Sequence, residues 1–161
     1  VDFASYQRLA LRTCAQSAPE YDLHELGRLG TLGELGELAE LLKKEYYHQK
    51  PIDQQNLIKE TGDVLWYLAI YAEAQGVSLG SYEAQAQQTQ QLSPIQHALA
   101  ITNHLPQLPV DQLGLVLSHL GAILQHYGSS LHQAMEQNIE KLRKRYPDGF
   151  DYTIAQTHNS Q

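Results

Sequence analysis

The chain has 161 residues, 42% of them hydrophobic, a net charge of −7 and one cysteine, Cys14. That length and composition fit one domain with one core. The negative balance argues against a nucleic-acid-binding surface, and a lone cysteine excludes an internal disulfide and suits a reducing compartment.

The expected location is the cytoplasm. The first twenty residues carry Asp2, Arg8, Arg12 and Glu20 with no sustained apolar run, so no leader peptide is expected there. No stretch approaches the roughly 18 apolar residues of a membrane span. Cys14 is expected as a small buried residue, not a nucleophile.

Nearly every segment carries helical periodicity. A first helix is expected over about 3–16, ending before Ser17-Ala18-Pro19, and a second over about 24–48, stopped by Pro51. A third spans about 53–75, with Asp53 as N-cap and Gly76 as C-cap. Ser93 before Pro94 opens a fourth, Asp111 a fifth running to Tyr127, and Ser130 a sixth that ends at Tyr146-Pro147. Asp148-Gly149 reads as a turn, and 151–161 as a polar, frayed tail. The expectation is an all-α antiparallel helical bundle, one domain over 1–150 with a four-helix core and an inserted helical pair.

Residues 33–40 read GELGELAE. At about 100° per residue, Leu41 projects between Glu34 and Glu37, and Leu38 lies beside Glu34. Both acids therefore sit on or beside an apolar stripe. On the third helix Glu60 and Asp63 bracket Tyr67, flanked by Val64, Ile70 and Tyr71. Ordinary solvated faces account for most such patterns. Two pairs on the buried side of successive antiparallel helices point elsewhere, because buried carboxylates are costly unless paired or metal-bound. Lys43, Lys44, Lys50 and Lys59 are expected near helix ends or on other faces. Four convergent carboxylates call for a hard cation, Mg²⁺ or Mn²⁺. Glu40 projects further round, as a surface acid. A di-iron plan needs Glu-x-x-His on two helices, and only Glu45-Tyr-Tyr-His48 fits.

Magnesium held by carboxylates completes its shell with waters and substrate phosphates. The final helix, NIEKLRKRYPDGF over 138–150, offers groups for the remaining phosphate charge. Asn138, Lys141 and Arg145 share one face at spacings of three and four. The other reading makes this basic turn a complement to the helix dipole, and it is preferred for Arg143 and Lys144.

ELGE (34–37) followed by ETGD (60–63), inside KETGDVLWYL, resembles the ExxE…ExxD signature of the MazG-like all-α nucleoside triphosphate pyrophosphohydrolases. SYQRLALRTC near the N-terminus and NIEKLRKRYPDGF resemble that family's flanking helices. The likeness covers about 1–85 and 136–150. It implies a helical bundle with Mg²⁺ on Glu34, Glu37, Glu60 and Asp63, and hydrolysis of a nucleoside triphosphate to the monophosphate and pyrophosphate. One of Glu34, Glu37 or Glu60 is open as a general base for the attacking water. The resemblance makes Lys141 and Arg145 phosphate contacts, Asn138 a polar contact to nucleotide or phosphate, and Tyr67 a wall of the nucleotide pocket. Trp66 is expected in core packing instead, with Tyr6 and Gln7 within reach of base or sugar. A house-cleaning role toward non-standard or excess deoxynucleotides is implied.

Residues 86–135 depart from the family's compact plan. They hold one charged residue, Asp111, with no lysine or arginine, and echo the preceding stretch: Gly76-Val-Ser-Leu79 against Gly128-Ser-Ser-Leu131, Pro51-Ile-Asp-Gln54 against Pro109-Val-Asp-Gln112. They read as inserted helices, as in a degenerate repeat, replacing part of a partner subunit. The expected assembly is a homodimer, or a monomer whose bundle the insert completes in cis. The insert's five histidines, His97, His104, His119, His126 and His132, are expected on helix surfaces or in satisfied core positions. Two other functions fit the sequence. One is a non-catalytic helical interaction module whose charge-poor insert leaves an apolar face. The other is a phosphoribosyl-ATP pyrophosphohydrolase.

Overall fold

The computed structural model describes residues 1–15, 22–88 and 90–158, and these residues form helices and no strand. The helices are α1 (Phe3–Leu11), α2 (Leu23–His48), α3 (Gln54–Ala74), α4 (Glu83–Ala86), α5 (Pro94–Thr102), α6 (Leu113–His126), α7 (Leu131–Arg145) and α8 (Tyr152–His158). Short 3₁₀ turns at Leu79–Tyr82 and Val110–Gln112 lead into α4 and α6. No helix among these residues is long and apolar enough to cross a membrane.

Local chemistry sets most of the boundaries. The carboxylates of Asp2, Asp22 and Asp53 accept N–H groups in the first turns of α1, α2 and α3, and Ser130 caps α7. Ser93 and Gln96 form a reciprocal capping box at α5, with Pro94 in its first turn. The expected first helix is shorter than 3–16: α1 ends at Leu11, and Thr13 and Cys14 donate back to Ala10 and Leu11 in a turn. Its expected stop at Ser17-Ala18-Pro19 lies outside the described residues. Asp111 sits inside a 3₁₀ turn and caps nothing, so α6 starts two residues later than expected, without a side-chain cap. The tail expected to fray instead forms α8, its first turn held by Asp151, which accepts from the Thr153 and Ile154 N–H groups.

The echo between Gly76-Val-Ser-Leu79 and Gly128-Ser-Ser-Leu131 has a local cause. Both glycines follow a helix with positive φ, 69° and 79°. The next residue in each case donates to a carbonyl five positions back, Val77 to Ala72 and Ser129 to Leu124. Each tetrapeptide is one helix stop followed by a serine cap.

Helices α2 and α3 pack antiparallel over most of their length, with Gly27 beside Tyr71 and Gly30 beside Tyr67. A Cβ on Gly27 would lie 2.7 Å from the Tyr71 Cβ and 2.8 Å from its Cα, so the two backbones touch there. Gly27→Ala must push α2 off α3. It is expected to cost about 1–3 kcal/mol, read as a lower urea midpoint at unchanged slope.

Helix α7 crosses α3 at Gly62, which faces Ala134 and Asn138. Gln54 meets Tyr127, Gly62 meets Asn138, and Asp63 meets Lys141, so these two helices run in the same sense. That pair departs from the antiparallel expectation, because α4–α6 return the chain to the starting end before α7 begins. Helix α1 packs on both α3 and α7.

The insert turns inward. Ile101, Leu108, Leu113, Val116, Leu117, Leu120, Ile123 and Leu124 are all buried in one core with Leu38, Leu57, Leu65 and Leu68. Helix α5 lies on α2, and α6 touches α3 and α7. Tyr71 donates to the Leu108 carbonyl at 2.6 Å, and Arg28 reaches the Pro106 carbonyl. Glu45 accepts from the Tyr127 hydroxyl at 2.8 Å and from the Ile52 N–H at 2.7 Å, fastening the α2–α3 turn to the end of α6. His97 and His119 are buried with their Nδ1 atoms 2.8 Å apart, and burial lowers the pKa of both. This neutral pair satisfies itself within the core.

Candidate active site

The acidic pairs of α2 and α3 open into a cavity of ≈ 870 Å³. Glu34, Glu60 and Asp63 each place a carboxylate oxygen there, all within 4.8 Å of one another. Glu60 is 9% exposed, and Glu34 and Asp63 are half-buried. Glu37 lines the same cavity but stands outside this cluster, exposed at its edge, so only one acid of the α2 pair turns inward. Glu40 pairs with Lys43 and Lys44 on the surface, as expected.

Three like charges at this range repel. The Glu34 carboxyl is held above its ordinary pKa, first by burial and then by the charges of Asp63 and Glu60. Folding therefore favours protonated Glu34. Its contribution to stability is fullest below the ordinary carboxylate value and is lost as pH rises through that value toward the raised one. Glu34→Gln is expected to raise the melting temperature of the metal-free protein at neutral pH by about 1–3 °C. The difference should shrink on acidification, and thermal scans from pH 4 to pH 7 check this.

Cations surround the cluster. Lys59 donates to Glu60 at 2.7 Å and lines the cavity, contrary to the expectation that it points elsewhere. Its pKa is raised, chiefly by that bond and then by the charges of Glu60, Asp63 and Glu34. From α7, Lys141 pairs with Asp63, and Arg145 lines the wall one turn further on.

Asn138 takes a different place from the one expected. It is 4% exposed and sits behind Asp63, not among the residues lining the cavity. Its Nδ2 donates to Asp63 Oδ1 at 3.0 Å, and its Oδ1 accepts from the Tyr6 hydroxyl at 2.9 Å. Tyr6 is fully buried, and burial together with the charge of Asp63 raises its pKa, so it remains a donor. The chain Tyr6–Asn138–Asp63 fixes the orientation of that carboxylate. Gln7 also faces away from the cavity, donating to Glu73 and to the Val77 carbonyl and accepting from the Leu79 N–H.

Order along the two antiparallel helices divides the cavity by chemistry. Along α3 the lining residues run Lys59, Glu60, Asp63, Trp66, Tyr67; along α2 they run Glu37, Glu34, Leu26. One end is ionic. The other begins one turn past Asp63, roughly 5 Å along α3 at 1.5 Å per residue, and is aromatic and apolar on α2 and α3, with Arg145 entering from α7. Gly30 makes room there: a Cβ on it would fall within the Tyr67 ring. Trp66 lines this end rather than packing wholly inside, and its Nε1–H donates to Thr13 Oγ1 at 2.9 Å. Cys14 is buried in the same wall, where burial pushes its thiol up to about 11 and keeps it protonated.

Residues 23–88 match the family model of the MazG nucleotide pyrophosphohydrolase domain. Over this span the chain is similar to a MazG domain. No curated protein and no solved structure matches it. The matched span contains Glu34, Glu37, Glu60 and Asp63 together with Lys59, Trp66 and Tyr67. Everything that the turn after α1 (Thr13, Cys14, Ala15), α7 and α8 bring to the cavity lies outside the matched span.

Proposed function

We propose that this MazG-like protein hydrolyses nucleoside triphosphates between the α- and β-phosphates, with a divalent cation held by Glu34, Glu60 and Asp63. One observation carries the reading: three carboxylate oxygens converge within 4.8 Å in a cavity whose other charged side chains include Lys59, Lys141 and Arg145. The donors are hard oxygens, which fits Mg²⁺ with Mn²⁺ as substitute, and the mutual repulsion recorded at Glu34 is relieved by a cation. Such an ion, when bound, neutralises phosphate charge and acidifies the attacking water.

The chain's own residues supply the rest. Lys141 and Arg145 take phosphate oxygens from the α7 side, and Lys141 stays close to Asp63 as it does so. Asn138 orients Asp63 from behind. Glu37 is on the cavity wall without belonging to the cation cluster, and in this reading it accepts the proton of the attacking water. Glu37→Gln is then expected to lower turnover about 10²-fold while Mn²⁺ affinity stays within about twofold of wild type, a split that calorimetry and initial rates resolve. Tyr67 and Trp66 line the nucleoside end. The packing of α5 on α2 and of α6 on α3 supports a bundle completed in cis by the insert.

Incubation with a panel of standard and modified deoxynucleoside triphosphates and MgCl₂, with products resolved by phosphorus NMR, tests the reading. Equal amounts of monophosphate and pyrophosphate are expected from at least one substrate. Diphosphate with inorganic phosphate, or no turnover across the panel, overturns it.

A further inference from the structure

The cavity has a wall that the proposed reaction does not use. After α7 the chain turns at Pro147–Phe150 and forms α8, bringing Phe150, Tyr152, Ala155 and Gln156 to the same cavity as Trp66 and Tyr67. The turn is tied down: the Phe150 N–H donates to the Arg12 carbonyl at 3.1 Å, and Gly149 adopts φ 97° to make the bend. Tyr146 and Phe150 pack as a tilted pair with ring centroids 5.7 Å apart, and Phe150 and Tyr152 as an edge-to-face pair at 4.9 Å. Across the cavity Trp66 and Tyr67 make a second such pair at 4.9 Å. Tyr152 is 49% exposed although it belongs to this cluster, so a flat apolar face stands open at the rim.

We propose that the C-terminal segment 150–156 is the outer wall of a nucleobase site, in which Phe150 and Tyr152 oppose Trp66 and Tyr67 across a purine or pyrimidine ring. This assignment rests on the nucleotide reading of the cavity. A nucleoside triphosphate is polyanionic at one end and a flat aromatic ring at the other, and the cavity is divided in that order. Its ionic end holds no aromatic residue of α2 or α3, and its aromatic end holds no carboxylate. Rings with π-faces stack on any base, so this wall supplies affinity for the base as a class. Gln156, beside them, is the polar side chain of the segment placed to read base edges. The wall lies wholly outside residues 23–88, the span that matches the MazG family model.

The chain's one tryptophan, Trp66, provides a readout independent of hydrolysis. Its fluorescence is titrated with deoxynucleoside monophosphates and triphosphates in wild type, Tyr152→Ala, Tyr152→Phe and Phe150→Ala, with circular dichroism to show that each variant is folded. Tyr152→Ala and Phe150→Ala are expected to weaken nucleotide binding about tenfold, while Tyr152→Phe stays within about twofold of wild type. Inhibition or binding by inorganic tripolyphosphate, which has no base, should be unchanged in all three. Equal nucleotide affinity in Tyr152→Ala and wild type overturns the inference, as does the absence of any Trp66 response to nucleotides. Loss of tripolyphosphate and nucleotide binding in equal measure also overturns it, since that marks a general collapse of the cavity. Wild-type hydrolysis separates the two claims. A protein that turns over no triphosphate yet binds nucleotides through Tyr152 refutes the catalytic reading and keeps the base site; an active protein indifferent to Tyr152 does the reverse.

Discussion

Asp63→Asn is expected to reduce pyrophosphate release by about 10³-fold with the helical fold intact. Asp63 is where the three functions of the site meet: it belongs to the carboxylate cluster, pairs with Lys141, and accepts from Asn138. The amide keeps an oxygen that can still accept from Asn138 Nδ2, so the buried chain behind it is preserved. What disappears is one negative charge from a cluster of three carboxylates. The stability effects oppose one another: the variant loses a partly exposed ion pair with Lys141 and relieves repulsion with Glu34 and Glu60. Its melting temperature should therefore stay within about 3 °C of the metal-free wild type. Steady-state rates under saturating Mg²⁺, alongside thermal scans, check both halves.

Asn138→Leu is expected to have the next largest effect, and of a different kind. Leucine has nearly the same bulk but no hydrogen-bonding groups, so the Tyr6 hydroxyl, fully buried, loses its 2.9 Å acceptor and retains at most a long 3.4 Å approach to the Gly62 carbonyl. Leaving that donor poorly satisfied costs about 1–3 kcal/mol. Asp63 at the same time loses the side chain that fixes its orientation. Partners behind a metal ligand typically matter by about 10–100-fold in affinity or activity, and a loss in that range is expected here. The companion change Tyr6→Phe separates the two contributions. It leaves the Asn138 amide on Asp63 and removes only the distal hydroxyl, so activity should fall far less than in Asn138→Leu. Urea unfolding and initial rates on the two variants make the comparison.

The all-α character and the acidic pairs were legible because helical periodicity needs only local sequence. An i,i+3 pair beside Leu38 and Leu41 has few places to point, and α2 against α3 brings Glu34 to Glu60 and Asp63. Depth is harder to read than direction. Asn138, Lys141 and Arg145 share a stripe as their spacing predicts, yet Asn138 lies where α7 crosses α3 at Gly62 and is sealed in, while the other two line the cavity. No single-helix pattern reveals where two helices cross. Glu37 is the converse: it belongs to the same i,i+3 pair as Glu34, yet it is exposed at the cavity edge.

Lys59 turns to the cavity against expectation, and Trp66 packs against the core as expected while also lining the cavity. A long side chain beside Glu60 can fold back on it whatever its Cα direction, and the sequence KE at 59–60 is the signal that was available. Trp66 stands three residues after Asp63, the same spacing that places Asp63 with Glu60, and its indole N–H donates to the buried Thr13 hydroxyl. The wall formed by α8 was not legible. Its aromatic residues at 146, 150 and 152 belong to no one helix, because a turn at Gly149 parts Tyr146 from the other two and the docking is tertiary.

The central claim is that Glu34, Glu60 and Asp63 jointly hold a divalent cation. Titration of the purified protein with Mn²⁺, followed by electron paramagnetic resonance of the free ion, measures it without any substrate. Wild type is expected to bind at least one Mn²⁺ per chain, Mg²⁺ should compete it away, and Glu34→Gln, Glu60→Gln and Asp63→Asn should each weaken that binding at least about tenfold, with Glu37→Gln unchanged. Stoichiometric binding that survives all three substitutions, or no binding in wild type, would contradict the account.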